Sequence, residues 1–274
     1  MQFAEILDEA ADEEDEDLRL ARVCALAIST YSSNERTKKP FNPILGETFE
    51  CVLEKTGGVY LSEQVSHHPP CGAGHAATDK WTYDITSMVK TKFMGNWVDV
   101  WPLGRTRIRL NRSRDVYNIC PPPSRINNML VGRMWIDTFG EMSVNNLATG
   151  GSALVKFKEC GFFGKGRWEV SGDVLGADGE VKYQLKGHWN HSVTAVKPAA
   201  RCEGEGAGDG DGDEGGEEIV LWTKEAMPKD RDKYGFTHFA RHCNSAAGCP
   251  PGLLASDARL RPDRAALEAG DLNP

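Results

Sequence analysis

The sequence predicts a mainly β fold with flanking helices, its strands forming an antiparallel meander that can close into a large barrel. Three observations predict it. After Glu47 the chain breaks into short runs rich in β-branched and aromatic residues, Gly-containing turns separate the runs, and 274 residues suit one large domain. Such runs include 48–53, 59–65, 97–101, 105–110, 154–157 and 181–189, and Gly57-Gly58, Gly150-Gly151 and Ala177-Asp178-Gly179 are turns between them.

Ahead of the strands, Leu20, Cys24, Ala27 and Tyr31, with Ala21, Ala25 and Ile28, recur at helical spacing and predict a packed helix over 18–31. Residues 1–17 read as an acidic N-terminal segment before a domain covering 18–274. Within that domain, 203–218 is rich in Gly, Asp and Glu, has too little apolar surface to fold alone, and is expected to be a disordered insertion. Beyond it, 222–228 reads as an extended arm, 236–243 as a short helix and 258–272 as a surface segment.

Charge is distributed unevenly. Net charge is −8, yet nine of the 40 acids lie in 1–17 and eight in 203–218, leaving 23 acidic against 32 basic residues elsewhere. A body of +9 with two acidic appendages suits docking on an anionic membrane surface. An ordinary solvated surface carrying two acidic loops has the same composition. The eight cysteines are scattered with no Cys-x-x-Cys pair, and no secretory leader follows Met1, which predicts a reducing, cytoplasmic setting. The most apolar run, 23–28, is too short to span a bilayer, so no transmembrane segment is expected and membrane contact would be peripheral.

The most informative stretch is Glu63-Gln64-Val65-Ser66-His67-His68-Pro69-Pro70. Successive strand side chains point to opposite faces, so His67 and His68 can reach one ligand together only where a strand ends or twists. The two prolines supply that ending and predict a sheet rim beside an opening. Upstream lies Lys39-Pro40-Phe41-Asn42-Pro43-Ile44-Leu45-Gly46-Glu47-Thr48-Phe49-Glu50. Together the octet and this dodecamer resemble the two signatures of the lipid-binding domain of the oxysterol-binding protein family. Similar stretches at 131–137, 234–240 and 257–263 extend the likeness from about residue 18 to the C-terminus.

The resemblance implies an incompletely closed antiparallel β-barrel around a hydrophobic lipid tunnel. It implies that Lys39, Asn42, His67 and His68 hold the head group of phosphatidylinositol 4-phosphate at the barrel mouth. It further implies that a sterol takes the same tunnel, and that the two lipids are carried between membranes by a protein associating transiently with organelle surfaces. The donor chemistry agrees, since an ammonium, an amide and up to four ring nitrogens match the acceptor oxygens of a phosphate better than a metal. Tyr31, Trp97 and Trp101 are candidates to line the tunnel, as they would line any core. Relatives also carry an N-terminal lid and a further C-terminal helix with Lys, Glu and Arg. Both are expected to be missing here, so that a chain extended at each end would transfer lipid better.

Two other readings use the same residues. A lipid sensor would bind in the same pocket without transporting. A zinc-dependent hydrolase could use His238 and His242, four apart on a short helix, with Cys243 and Cys249 nearby, but no Glu follows His238 and no nucleophile elbow surrounds Ser66. Asp209-Gly210-Asp211-Gly212-Asp213 lacks the final glutamate and the flanking helices of a calcium loop. The expectation is therefore a non-enzyme without cofactor or metal, and with no nucleic-acid partner. No pleckstrin-homology or ankyrin region fits, and Cys160-Gly161-Phe162-Phe163 lacks the acidic approach of an endoplasmic-reticulum receptor-binding motif.

Overall fold

The computed structural model describes residues 1–38, 42–198, 216–230, 232 and 234–271. Helix α1 (Glu5–Asp12) leads into α2 (Glu16–Ser29), which begins sharply because the Asp15 carboxylate accepts from the backbone N–H groups of Asp17 and Leu18. Acids at Glu16 and Asp17 suit that positive helix end. Eleven of the fourteen α2 residues are buried, Leu18 to Ala21 and Val23 to Ser29. A helix covered on nearly every side lies inside a domain, not on it. Tyr31 falls in the 3-10 turn Thr30–Glu35 that follows, so the regular helix is shorter than its periodicity predicts.

Around α2 wraps one long antiparallel path: β1 (Thr48–Val52), β2 (Val59–His67), β3 (Pro70–Ala77), β4 (Trp81–Phe93), β6 (Thr106–Leu110), β7 (Val116–Cys120), β10 (Gly140–Asn146), β11 (Ser152–Phe157), β12 (Glu169–Leu175), β13 (Val181–His188), β14 (Ser192–Val196) and β15 (Glu218–Thr223). Period-two alternation selects the inner face: Met142 and Val144 on β10, Ala153, Val155 and Phe157 on β11, Tyr183 and Leu185 on β13, Val193 and Ala195 on β14 are all buried. Each such side chain removed from water stabilises by about 1.5–3 kcal/mol before entropy is charged against it. The path is open, ending at β1 and β15. The outer edge of β1 is covered from the C-terminal side. Thr48 N–H donates to Ser256 O, Glu50 N–H to the Asp257 carboxylate, and the Arg259 guanidinium to Glu50 O.

A second ribbon leaves this path. The far half of β4 pairs with β5 (Trp97–Pro102), β5 with β8 (Ser124–Asn127), and β8 with β9 (Trp135–Thr138). Helix α3 (His238–Asn244), capped by the Thr237 hydroxyl, and α4 (Pro262–Ala269) complete the described elements.

The N-terminal acids do not form an appendage. Ile6, Leu7, Ala10 and Ala11 of α1 are buried, and the acids on its other side are tied to the body. Asp8 accepts from the Trp81 indole at 2.7 Å, Asp12 pairs with Lys80, Glu5 with Lys55, and Glu9 with Arg22. Of the acidic insertion, 203–215 lies outside the described residues, while Glu218 already belongs to β15. The arm expected over 222–228 is strand only as far as Thr223, and 258–272 contains α4. Among the described residues no helix is long and apolar enough to cross a membrane.

Candidate functional site

Alternation on the first strands places Phe49 and Cys51 of β1 and Tyr83 and Ile85 of β4 toward α2. With Leu26, Tyr31, Tyr60, Ile108, Met142 and Phe239 they line a cavity of about 410 Å³ between the helix and the sheet. That is within the roughly 300–1,000 Å³ typical of small-molecule sites, which combine apolar walls with a few polar groups. Burial pushes the phenols of Tyr31 and Tyr60 up, and that of Tyr83 up to about 12, so all three remain protonated donors at neutral pH. Gly104 also lines the cavity, and a Cβ there would lie 1.7 Å from Thr86 O, so only glycine lets the two backbones approach this closely.

A larger and more polar cavity of about 910 Å³ adjoins the first, sharing the walls Met1, Leu26, Thr30, Phe49, Phe239 and Cys243. It adds Arg36, Lys38, Lys224 and Arg264, together with Glu35 and Asp232. Lys224 is paired with Glu35, the Arg36 guanidinium lies 5.6 Å from the Phe236 ring centre, and Arg264 bonds Glu47 at 3.2 Å. A mostly apolar chamber thus adjoins a cationic one. On the wall between them the Cys51 and Cys243 sulfurs are 2.8 Å apart. This hydrogen bond draws the Cys51 thiol below the ordinary range and pushes that of Cys243 above it.

The histidine pair sits where the sequence predicts a strand to end. His67 closes β2, Pro70 opens β3 directly opposite it, and the intervening His68–Pro69 peptide is cis. Both imidazoles are exposed, with ring centres 4.8 Å apart and planes at 75°. Register relates the hairpin to the chamber. Ser66 pairs with Cys71, Cys71 pairs with Met88, and Thr86 to Val89 line the apolar cavity. The hairpin and that end of the chamber therefore share one level of the sheet.

The upstream signature is docked on the same strand. Gly46 N–H donates to Gln64 O, and Gln64 N–H donates to Glu47 O, each at 2.9 Å. Glu47 is buried, accepting from Ile44 N–H, Arg261 and Arg264, while Arg261 also donates to Asn42 O. These bonds hold the Asn42 segment against the strand that carries the histidines. Lys39 lies outside the described residues.

Of the other candidates, Tyr31 lines the apolar chamber, while Trp97 and Trp101 lie on β5 of the ribbon and line neither cavity. The Arg125 guanidinium lies 5.7 Å from the Trp97 ring centre instead. Tyr60, Tyr83, Met142 and Phe239 were not anticipated as lining residues. The spacing of Trp81, Tyr83 and Ile85 carried a usable signal for β4. His242 bonds Val52 O through Nε2, His238 is exposed, and among the described residues no group of three or more His, Cys, Asp or Glu is placed to hold a metal ion.

Comparison with known proteins gives the same answer as the two signatures. Oxysterol-binding protein-related protein 3B of Arabidopsis thaliana is 46% identical over 273 residues, covering 100% of this chain and 57% of that protein. Human oxysterol-binding protein-related protein 6 is 34% identical over 280 residues, covering 99% of this chain and 28% of its own length. The chain thus spans little more than half of the plant relative. Among solved structures, the Osh1 ORD domain in complex with cholesterol aligns with a TM-score of 0.83 at 32% identity, over 98% of this chain and 65% of that one. The Osh3 ORD in complex with PI(4)P from Saccharomyces cerevisiae aligns with a TM-score of 0.82 at 25% identity, over 98% and 68%. The oxysterol-binding protein family profile matches residues 1–274. With an open antiparallel sheet wrapped round a buried helix, and residues 42–50 docked on the strand that carries the histidines, the chain belongs to the oxysterol-binding protein family.

Proposed function

We propose that this chain binds a sterol and/or phosphatidylinositol 4-phosphate and carries it between membranes, with transient association of a cytoplasmic protein with organelle surfaces. The observation that carries the reading is the apolar cavity of about 410 Å³, one end of which is level with the unsubstituted octet. Ligands of both kinds occupy the structural relatives, cholesterol in Osh1 and PI(4)P in Osh3. Apolar lipid exposed to water costs about 0.8 kcal/mol per CH₂, so a dozen such groups hold it in a bilayer unless a dry chamber receives it. Lys39, Asn42, His67 and His68 are the groups we assign to the head group, where charge-assisted bonds to phosphate oxygens would select it.

Mass spectrometry of lipid extracted from the purified protein, together with transfer of labelled sterol and phosphoinositide between two liposome populations, tests this. A co-purifying lipid and accelerated transfer are expected. Binding without acceleration would make the chain a sensor, and stoichiometric zinc with no lipid would favour a hydrolase. The double variant His67→Ala/His68→Ala should lose phosphoinositide binding and keep sterol binding.

A further inference from the structure

We infer that the paired tips of the β4–β5 and β8–β9 hairpins are a membrane-docking surface that enters an anionic lipid bilayer. The inference rests on the lipid-carrier reading and adds the face by which the carrier meets its membrane. Antiparallel pairing of β5 with β8 brings both turns to the same end of the ribbon. There the large apolar side chains point into solvent: Phe93 is 57% exposed, Leu130 73% and Val131 76%. Large exposed apolar side chains gathered at one end of a ribbon mark an interaction surface.

The tips are fastened into one unit by Asn96. Its side-chain Oδ1 accepts from the N–H groups of Leu130 and Val131, each at 3.0 Å, and its Nδ2 donates to Val131 O at 3.2 Å. Its backbone O accepts from Met129 N–H at 2.9 Å, and Asn128 Nδ2 donates to Arg133 O at 3.0 Å. The consequence is chemical. Loop backbone enters hydrocarbon only when its polar groups are already bonded, and here the N–H groups of Leu130 and Val131 are bonded within the tip.

Charge identifies the occupant. Lys90, Lys92 and Arg133 beside the tips are exposed and form no ion pair among the described residues. The acids of the ribbon do not oppose them, since Asp99 is buried against Arg125 and Asp137 is buried under Cys160 N–H. Apolar tips flanked by unpaired cations fit an anionic bilayer, where each cation contributes roughly fivefold to binding. Position agrees as well. Met88 is level with the histidine hairpin and Phe93 lies five residues further along the same strand, about 16 Å at roughly 3.3 Å per residue. A docked tip would hold the rim of the candidate site close to the head groups.

Flotation with phosphatidylcholine vesicles, with and without phosphatidylserine, tests the inference on the full chain. Binding to the anionic vesicles should exceed binding to the neutral ones and weaken with added salt. The variant Leu130→Asp/Val131→Asp should lose at least tenfold, and Lys90→Glu/Lys92→Glu about tenfold or more, with circular dichroism unchanged. Wild-type flotation by either variant, or equal binding to neutral vesicles, would overturn the inference. So would self-association in the absence of vesicles that Leu130→Asp abolishes while flotation persists, because the patch would then belong to a second copy. Binding of a water-soluble short-chain phosphoinositide keeps the two readings apart: if it survives while docking fails, only the docking face is wrong.

Discussion

The helix-filled body and the four-stranded ribbon are made from the same kind of alternating sequence, yet one buries its apolar inner face and the other leaves its apolar residues only half-covered. On β10, β11, β13 and β14 alternate residues such as Met142, Val155, Leu185 and Ala195 face α2 or its neighbours and are buried. On β5, β8 and β9 the residues are mostly half-buried, and the hairpin ends are bare. The contrast teaches that strand pattern sets which residues share a face, while a covering element decides whether that face becomes core. In this molecule α1 and α2 supply the cover.

Substitutions graded by depth sharpen the contrast. The deepest polar junction joins helix to sheet: Arg19 donates to Asp115 at 2.8 Å, and Tyr117 and Asn146 donate to the same carboxylate. Asp115→Ala strands a buried guanidinium and should cost about 3–5 kcal/mol in urea unfolding. A loss below about 1 kcal/mol would mean that this junction is not what fastens α2. Burial pushes the Asp115 carboxyl up, but hydrogen bonds from Asn146 and Ser113 and the charge of Arg19 outweigh it, and the group sits below the ordinary carboxylate range. Its contribution is therefore present above the unfolded value of about 3.9 and is lost as pH falls through the lower folded value. The stability difference between wild type and Asp115→Asn should accordingly shrink in acid, and a gap that widens there would contradict the sign.

One layer out, Asp8→Ala leaves the buried Trp81 indole N–H without its acceptor and should cost about 1–3 kcal/mol, read as a lowered urea midpoint. This tests whether α1 is part of the body, because an appendage would unfold separately with no effect on the main transition. At the bare end of the ribbon, Leu130→Ser should change stability by no more than about 0.5 kcal/mol. A larger loss would show that the tip packs against something within the chain.

What could be read from the sequence was mostly local. The octet was legible because its constraint is contiguous: two histidines and two prolines must end a strand, and His67 and Pro70 face each other across a hairpin. Strands β1, β2, β5, β6, β11 and β13 were legible from their residue types, and α2 from its spacing. Cavity lining was not, because Tyr83 and Phe239 meet only through tertiary packing. Trp97 and Trp101 were expected in the tunnel. They lie on the ribbon because β4 outruns its main-sheet partner and carries β5 away with it. The N-terminal acids misled for a different reason. Charge density drew attention away from Ile6, Leu7, Ala10 and Ala11, whose spacing already marked a buried stripe.

An unclosed sheet has to defend its margins, and β1 does so by borrowing the segment around Ser256 to Arg259 from the far end of the chain. Shortening the chain ahead of that segment would bare a row of unmet amide and carbonyl groups, a template for neighbouring molecules to add strands. Residues 256–259 thus act as a selvedge, keeping an open weave from being stitched to the next piece of cloth.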